Sequence, residues 1–505
     1  MTMEVGYVKS VKGPIVYLDG LPSVKIGDLV EGQAALGFVS ALLPEKVEVM
    51  LIRTDDVKPG QSFTPTGKTL SLPAGDFLLG RAIDPLGNPI DAGPPIPKEN
   101  VTQISLEPES LGVANREFIR QQFETGITLV DTVAPLGRGQ RELVMGDARS
   151  GKSGFIVDII INQKNKNVIC VYGCIGKPAM DVHDLIAALK RNDALKHTIF
   201  VASFSGDSPP LIYLSPKAAL AIAAYFQQQG KDVLLILDDM GVHAKIYREI
   251  SLLGGRTPGR EAYPGDIFYE HAHLLERAGC FNSTAGAGSI TALPMVELGL
   301  TDFTGYISTN LMSMTDGHFL FDASLYAQGQ RPAVDLLLSV SRVGQQTQKQ
   351  VQVELGFKIK QILTESQRLV SLTSFSSELP AETRRLLTQK NMIMELLRQA
   401  QSVYISLAEQ TILMALPFCE FLKSKDEKFL LAFKDIFINC LRTNEKIKAV
   451  VDQVLDLPGV DELVKKVDEV GPEFLAAVGK IKPNVPTGSV VPEAVSTKQP
   501  TQNDQ

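Results

Sequence analysis

MGDARSGKS (residues 145–153) sets Gly146 four residues ahead of Gly151, Lys152 and Ser153, the spacing of a phosphate-binding loop. Glycines let backbone amides turn inward around a polyphosphate. Asp147, Ala148, Arg149 and Ser150 complete the cradle. Lys152 is placed to reach the outer phosphates, and the Ser153 hydroxyl to bind Mg2+. A glycine-rich turn alone is weak, so the flanks matter. ELVM (142–145) is a short apolar run that reads as a strand, and GFIVDIIINQ (154–163) reads as a helix whose N-terminus faces the anion.

A nucleotide site also needs a carboxylate for the metal, at the end of a buried strand. LLILDD (234–239) supplies one. Asp238 follows four apolar residues and is expected at the carboxyl edge of a sheet, with Ser153 the second metal-binding residue. Asp239 is expected to point elsewhere, because side chains alternate along a strand. The same acidic pair also suits a helix cap. Loop and strand together point to Mg2+ with ATP or ADP.

Composition sets limits. The chain has 505 residues, 44% hydrophobic and 21% charged, with a formal net charge of −7. That length fits about three domains, and that balance lacks the basic signature of a nucleic-acid-binding protein. Five cysteines, at 170, 174, 280, 419 and 440, show no CxxC spacing and read as buried thiols. The start has no apolar signal core, and no stretch of about 20 residues is apolar throughout. A membrane role is expected only through partners.

The organisation is a multidomain one. Residues 1–70 alternate short strands with turns, as in KVEVMLI (46–52), where Val47, Val49 and Leu51 share a face; a β-barrel is expected. Residues 71–345 alternate apolar runs (VICVYG, TIFVAS, VLLIL) with helical stretches, the pattern of a parallel α/β domain. Residues 346–481 are expected to be a helical bundle. Its apolar stripes are Leu386, Leu387, Ile393, Met394, Leu397 and then Phe429, Phe433, Ile436, Phe437, Cys440. Residues 482–505 are rich in Pro, Ser, Thr and Gln, and a disordered tail is expected.

Five longer stretches are specific. PLGRGQRELVMGDARSGKS (135–153), GREAYPGDIFYEHAHLLERAG (259–279), GSITALPMVE (288–297), STNLMSMTDG (308–317) and GQRPAVDLLLSVSRVG (329–344) together resemble the alpha subunits of F-type ATP synthases. The landmarks span roughly residues 4–450. Asp147 after the first glycine matches the alpha pattern rather than the more glycine-rich beta pattern, as does SVSRVG. The resemblance implies a β-barrel, a phosphate-loop (RecA-like) domain and a helical bundle. It implies a ring of three alpha and three beta chains around a gamma-subunit shaft, with a peripheral stalk or delta subunit outside. It also implies placement on the cytoplasmic face of a membrane, held by the complex, with catalysis in the beta sites and ATP synthesis or hydrolysis coupled to ion transport.

Hydrolysis requires a group that orients and polarises water. Catalytic relatives carry glutamate after the strand that corresponds to VICVYGCIG; alpha subunits usually carry glutamine, and here the aligned residue is Lys177. A charged ammonium has no lone pair to accept a proton. A site that binds ATP or ADP without turning it over is expected, with Asp181 the nearest substitute carboxylate in sequence. By resemblance, Arg342 is a finger delivered into a neighbouring beta site, and Ser339 shapes that interface. Arg331 and Pro332 match the adenine-pocket segment. Gln399 and Gln401, in LLRQAQS (396–402), match the segment of the helical domain that reaches the base.

The chain departs from the family in three places. Barrel-like sequence begins by Val5, without the usual helical extension, so altered stalk docking is expected. LGGRTPGREA carries Arg256 alone where the family has an arginine pair. The proline-rich tail is unfamiliar. Competing readings are a homohexameric export-type ATPase, which needs the missing glutamate, and a ring-shaped RNA translocase, which needs aromatic and basic clustering in the first domain. A pure assembly protein would have no use for the intact loop and Asp238.

Overall fold

The computed structural model describes residues 4–479, apart from 34, 54–55, 98–100, 109–110, 300–303 and 374–379. The expected disordered tail lies outside the described residues. A closed barrel of six strands opens the chain: β1 (Gly6–Lys12), β2 (Ile15–Asp19), β3 (Asp28–Gly32), β4 (Leu36–Leu43), β5 (Lys46–Arg53) and β6 (Ser62–Thr69), in the order β1-β2-β5-β4-β3-β6. Val47, Val49 and Leu51 of β5 fill the barrel with Val16, Val39 and Phe63. The opposite face of β5 is buried too, because Met50 and Ile52 join Ile15, Tyr17 and Phe38 against the central domain. Alternation marked the inner face and left the docking face unannounced.

The central sheet runs through β7 (Ala82–Ile83), β8 (Glu142–Asp147), β9 (Val168–Lys177), β10 (Thr198–Phe204), β11 (Asp232–Asp238), β12 (Ser289–Leu298), β13 (Gly317–Phe321) and β14 (Val340–Ser341). Their order is β14-β13-β8-β12-β11-β9-β10-β7. All neighbours pair in parallel except β13 with β14. Burial on both faces explains the unbroken apolar runs. In β11, Leu234 and Ile236 enter one core while Val233, Leu235 and Leu237 enter the other. Crossover helices include α1 (Lys152–Asn162), α2 (Ala179–Arg191), α3 (Pro209–Gln228) and α4 (Met240–Leu253).

The helical region contains α5 (Gln350–Thr373), α6 (Ala381–Leu397), α7 (Leu407–Ala415) and α8 (Glu427–Thr443). Leu396 and Leu397 share one core with Phe155, Ile156 and Ile159 of α1. The buried face of α6 centres on Met392, Ile393, Leu396 and Leu397. In α8 it centres on Leu430, Phe437, Cys440 and Leu441. That shared core presses the segment after α6 against the phosphate loop. No helix among the described residues is long and apolar enough to cross a membrane. The five cysteines are unpaired; four are buried and Cys280 is half-buried.

Candidate nucleotide site

The loop between β8 and α1 sits at the carboxyl ends of β8, β12 and β11, where ligands of open parallel sheets bind. Gly146 has φ +154°, and an added Cβ would stand 2.4 Å from the Phe321 carbonyl. Gly151 has φ +94°, and its Cβ would meet the Tyr326 ring at 2.9 Å. Both positions need glycine, one for close approach and one for left-handed backbone. Gly151 opens α1 without a side-chain cap, so the first amides of that helix point at the cleft unsatisfied. Ser150 is buried and donates to the Asp147 carbonyl at 2.7 Å, tightening the turn.

Arg149, Gly151, Lys152, Ser153, Lys177, Asp238 and Tyr326 line one cleft, together with Ser150, Asp239 and Glu297. Ala148 lies on the exposed turn. Lys152 donates to the carbonyls of Gly146 at 2.7 Å and Asp147 at 2.5 Å. Burial lowers its pKa, against the pull of Glu297 and Asp239.

Asp238 is 2% exposed, and both its oxygens are engaged. Lys177 Nζ lies 2.9 Å from Oδ1, and the buried Tyr172 hydroxyl donates to Oδ2 at 2.8 Å. Lys177 is therefore not a solvated side chain. Burial opposes its charge, and the Asp238 carboxylate outweighs burial, leaving its pKa raised. The expected magnesium pair is changed accordingly. Ser153 is exposed at the cleft, but the carboxylate of Asp238 already holds an ammonium. Among the described residues no cluster of three or more His, Cys, Asp or Glu side chains is set to hold a metal. Of the expected donor pair, the carboxylate is engaged by Lys177, and Ser153 alone stays open to the cleft.

Asp239 does one thing expected of the pair, the helix cap, and makes one further contact. It caps α4, accepting from Gly241 N at 2.6 Å, and it accepts from Glu297 N at 3.2 Å. It also lines the cleft, contrary to the expectation that it points away. The sequence reading passed over Glu297 and Tyr172; Glu297 ends one of the quoted landmarks. Asp181 is exposed in the first turn of α2 and borders the same cleft as Ser153 and Lys177.

A second, apolar cleft adjoins the loop, lined by Ile127, Phe155, Tyr326, Pro332, Ala333 and Val403, with Arg331, Gln399 and Gln401 at its margin. Arg331 stacks over Tyr326 with its guanidinium carbon 3.4 Å from the ring centre and donates to the carbonyls of Tyr326 and Gln330. It holds the tyrosine in place while itself lining the cleft.

Gln399 and Gln401 stand on the loop after α6, not on a helix. The Gln399 amide is spent internally. Its oxygen accepts from Thr128 N at 2.9 Å and Thr128 Oγ1 at 3.0 Å, and its nitrogen donates to Gly126 O at 2.7 Å and Val403 O at 2.5 Å. Its expected hydrogen bonds to adenine have no group left to make them. Gln401 is different, with Nε2 2.8 Å from where a Gly154 Cβ would stand, over the start of α1.

Asp158 borders the base cleft and accepts from Ser402 N at 2.9 Å. Burial pushes its pKa up to about 6. A raised carboxyl favours the fold most below its unfolded pKa of about 4, and that contribution is lost as pH rises through about 6. Asp158→Asn keeps the acceptor and drops the charge. Its effect on stability, read by urea denaturation, should be more favourable at pH 7 than at pH 4, by about 1–2 kcal/mol after solvent screening.

Arg342 and Ser339 lie elsewhere. β14 pairs Ser341 with Gly317 and Val340 with His318, at the amino end of β13, whereas the phosphate loop leaves the carboxyl end of β8. Arg342 is exposed, its guanidinium 3.3 Å from the Met312 carbonyl and 3.4 Å from that of Thr315. Ser339 is buried and accepts from Leu320 N at 3.0 Å, so it ties the segment down from inside.

The chain matches two family models, "ATP synthase alpha/beta family, nucleotide-binding domain" over residues 126–341 and "ATP synthase alpha/beta chain, C terminal domain" over residues 347–469. It is 39% identical to "ATP synthase subunit alpha" of Mycoplasmoides gallisepticum over 472 residues, covering 92% of this chain and 87% of that protein. It is 40% identical to "ATP synthase subunit alpha" of Acholeplasma laidlawii over 411 residues, 81% and 82% of the two chains. The protein of that name in Acetivibrio thermocellus is 38% identical over 444 residues, 87% of each. A phosphate loop at the sheet edge, a barrel before it, a helical region after it and this likeness along most of the chain lead to one conclusion: the chain belongs to the ATP synthase alpha/beta family, among its alpha subunits.

Proposed function

We propose that this alpha-type chain holds ATP or ADP in its own site without turning it over, and lends Arg342 to the active site of a neighbouring beta subunit. The observation that carries the first half is Lys177. It stands where a water-activating carboxylate would be needed, and it is paired with Asp238 at 2.9 Å. A charged ammonium cannot take a proton from water. The polyphosphate would lie on the amides of residues 146–153, with Lys152 against its outer oxygens. The base would enter the apolar cleft beside Tyr326 and Pro332.

Besides Asp238, the carboxylates of Asp239 and Glu297 line the phosphate cleft, and Asp181 lines the clefts that adjoin it. Asp239 is committed to two backbone amides. Purified full-length chain should bind ATP and release no phosphate over many hours. Steady turnover would overturn the reading, and Asp181→Asn and Glu297→Gln would then identify the base.

The second half rests on position. Arg342 is exposed at the end of the sheet away from this chain's own loop, so its charge is available to another chain. A guanidinium delivered in trans neutralises charge on a transferring phosphoryl group. In this reading the chain alternates with beta subunits around a gamma shaft, meets the membrane only through the complex, and couples ATP chemistry to ion transport.

The base cleft separates two glutamines by their tests. Gln401→Ala should weaken ATP binding by about three- to tenfold, the loss of a hydrogen bond or two, with unchanged thermal stability. Gln399→Ala should lower stability by about 2 kcal/mol, because it orphans the Thr128 and Gly126 backbone groups. Calorimetric titration and thermal melts of both variants check this. A stability loss in Gln401→Ala with no change in affinity would remove it from the site.

A further inference from the structure

We propose that Lys177 is a built-in counter-cation, occupying the carboxylate that would otherwise hold magnesium, so that this chain binds adenine nucleotide without requiring Mg2+. The inference rests on the nucleotide reading above and deepens it.

The geometry has four parts. Lys177 ends β9, three residues past Cys174, which pairs in register with Asp238 of β11. The two side chains therefore meet at the carboxyl edge of adjacent parallel strands, where the phosphates would lie. Asp238 is nearly fully buried and fixed on its other oxygen by Tyr172, so its orientation toward Lys177 is held. Asp239 is bound to Gly241 N and Glu297 N. Lys177 keeps 24% of its side chain exposed, facing the cleft that also contains Lys152 and Ser153.

The chemistry follows from donor counts. An ammonium has three N–H donors, and one suffices for Asp238. The other two remain for phosphate oxygens, so the nitrogen can bridge carboxylate and nucleotide as a metal ion would. Mg2+ seeks near-ideal octahedral geometry and one or two carboxylates alongside the phosphates. To enter here it must displace an ion pair already formed in a partly desolvated cleft, where such pairs are strong.

The test is calorimetric titration of ADP into the full-length chain, with excess Mg2+ or with EDTA, for the native sequence and for Lys177→Gln. The native chain should show ADP affinities that agree within about threefold in the two conditions. Lys177→Gln should lose about ten- to hundredfold in EDTA, the worth of charge-assisted hydrogen bonds to phosphate, and recover in Mg2+. If the native chain binds ADP only with Mg2+, Lys177 yields to the metal and the inference is wrong. If the native chain binds ADP in neither condition, the nucleotide reading itself fails and takes this one with it. The native comparison decides the matter even where the variant does not fold.

Discussion

Arg342→Lys in a ring assembled with beta partners should lower multisite ATP hydrolysis by about a thousandfold, the usual contribution of a guanidinium finger. Lysine keeps the charge and loses the planar fork that spans two phosphoryl oxygens. The same substitution should leave nucleotide affinity of this chain's own site unchanged. Arg342 follows the strand that pairs with Gly317 and His318 at the amino end of β13, while the loop 146–153 opens at the opposite end of the sheet. The measurement is steady-state phosphate release by the ring, alongside ATP titration of the isolated variant. Full multisite activity would remove the finger. Loss of affinity in the isolated chain would show that Arg342 acts at home.

Asp131→Ala should destabilise the chain by about 3–5 kcal/mol, which is a large fraction of an ordinary domain's stability. Asp131 sits in the buried helix Thr128–Val133. Its Oδ1 accepts from Thr125 N at 2.9 Å and Thr125 Oγ1 at 2.8 Å, and its Oδ2 from Gly126 N at 2.8 Å and Gln410 Nε2 at 3.0 Å. Four donors lose their acceptor at once, one of them from α7. Burial nevertheless raises the Asp131 pKa to about 6. Its charge therefore costs something in the fold, and its contribution declines as pH rises from about 4 through about 6. The deficit of Asp131→Ala, measured by urea denaturation, should accordingly be greater at pH 5 than at pH 7. The same knot holds the Gly126–Thr128 backbone that meets Gln399, so nucleotide affinity should fall with stability. A variant with native stability would mean that α7 is not tied to the nucleotide domain through this carboxylate.

The parts legible in the sequence were local ones. Gly146, Gly151 and Lys152 announce themselves by spacing, and in the fold Phe321 and Tyr326 leave no room for a side chain at the two glycines. Val233 to Leu237 read as a buried strand because a parallel strand is apolar on both faces. The residue types at Lys177 and Asp238 were visible, but not their bond, because strand register decides it. Gln399 was misplaced for a similar reason. Its partners Thr128 and Gly126 lie more than 270 residues away, and nothing near Gln399 in sequence says that its amide is spent. Glu297 carried no mark of its own beyond ending a strand; only the neighbouring β11 brings it to the cleft. The outer face of β5 stayed hidden because the barrel's docking partner is a different domain.

The most direct measurement of the central claim is the fate of ATP in this chain's own site while the ring works. The chain is loaded with radiolabelled ATP, freed of excess nucleotide, assembled with beta partners and driven through many turnovers on unlabelled ATP. The retained label should be recovered as ATP. Label recovered as ADP, formed at the rate of the ring, would mean that this site spends what it holds.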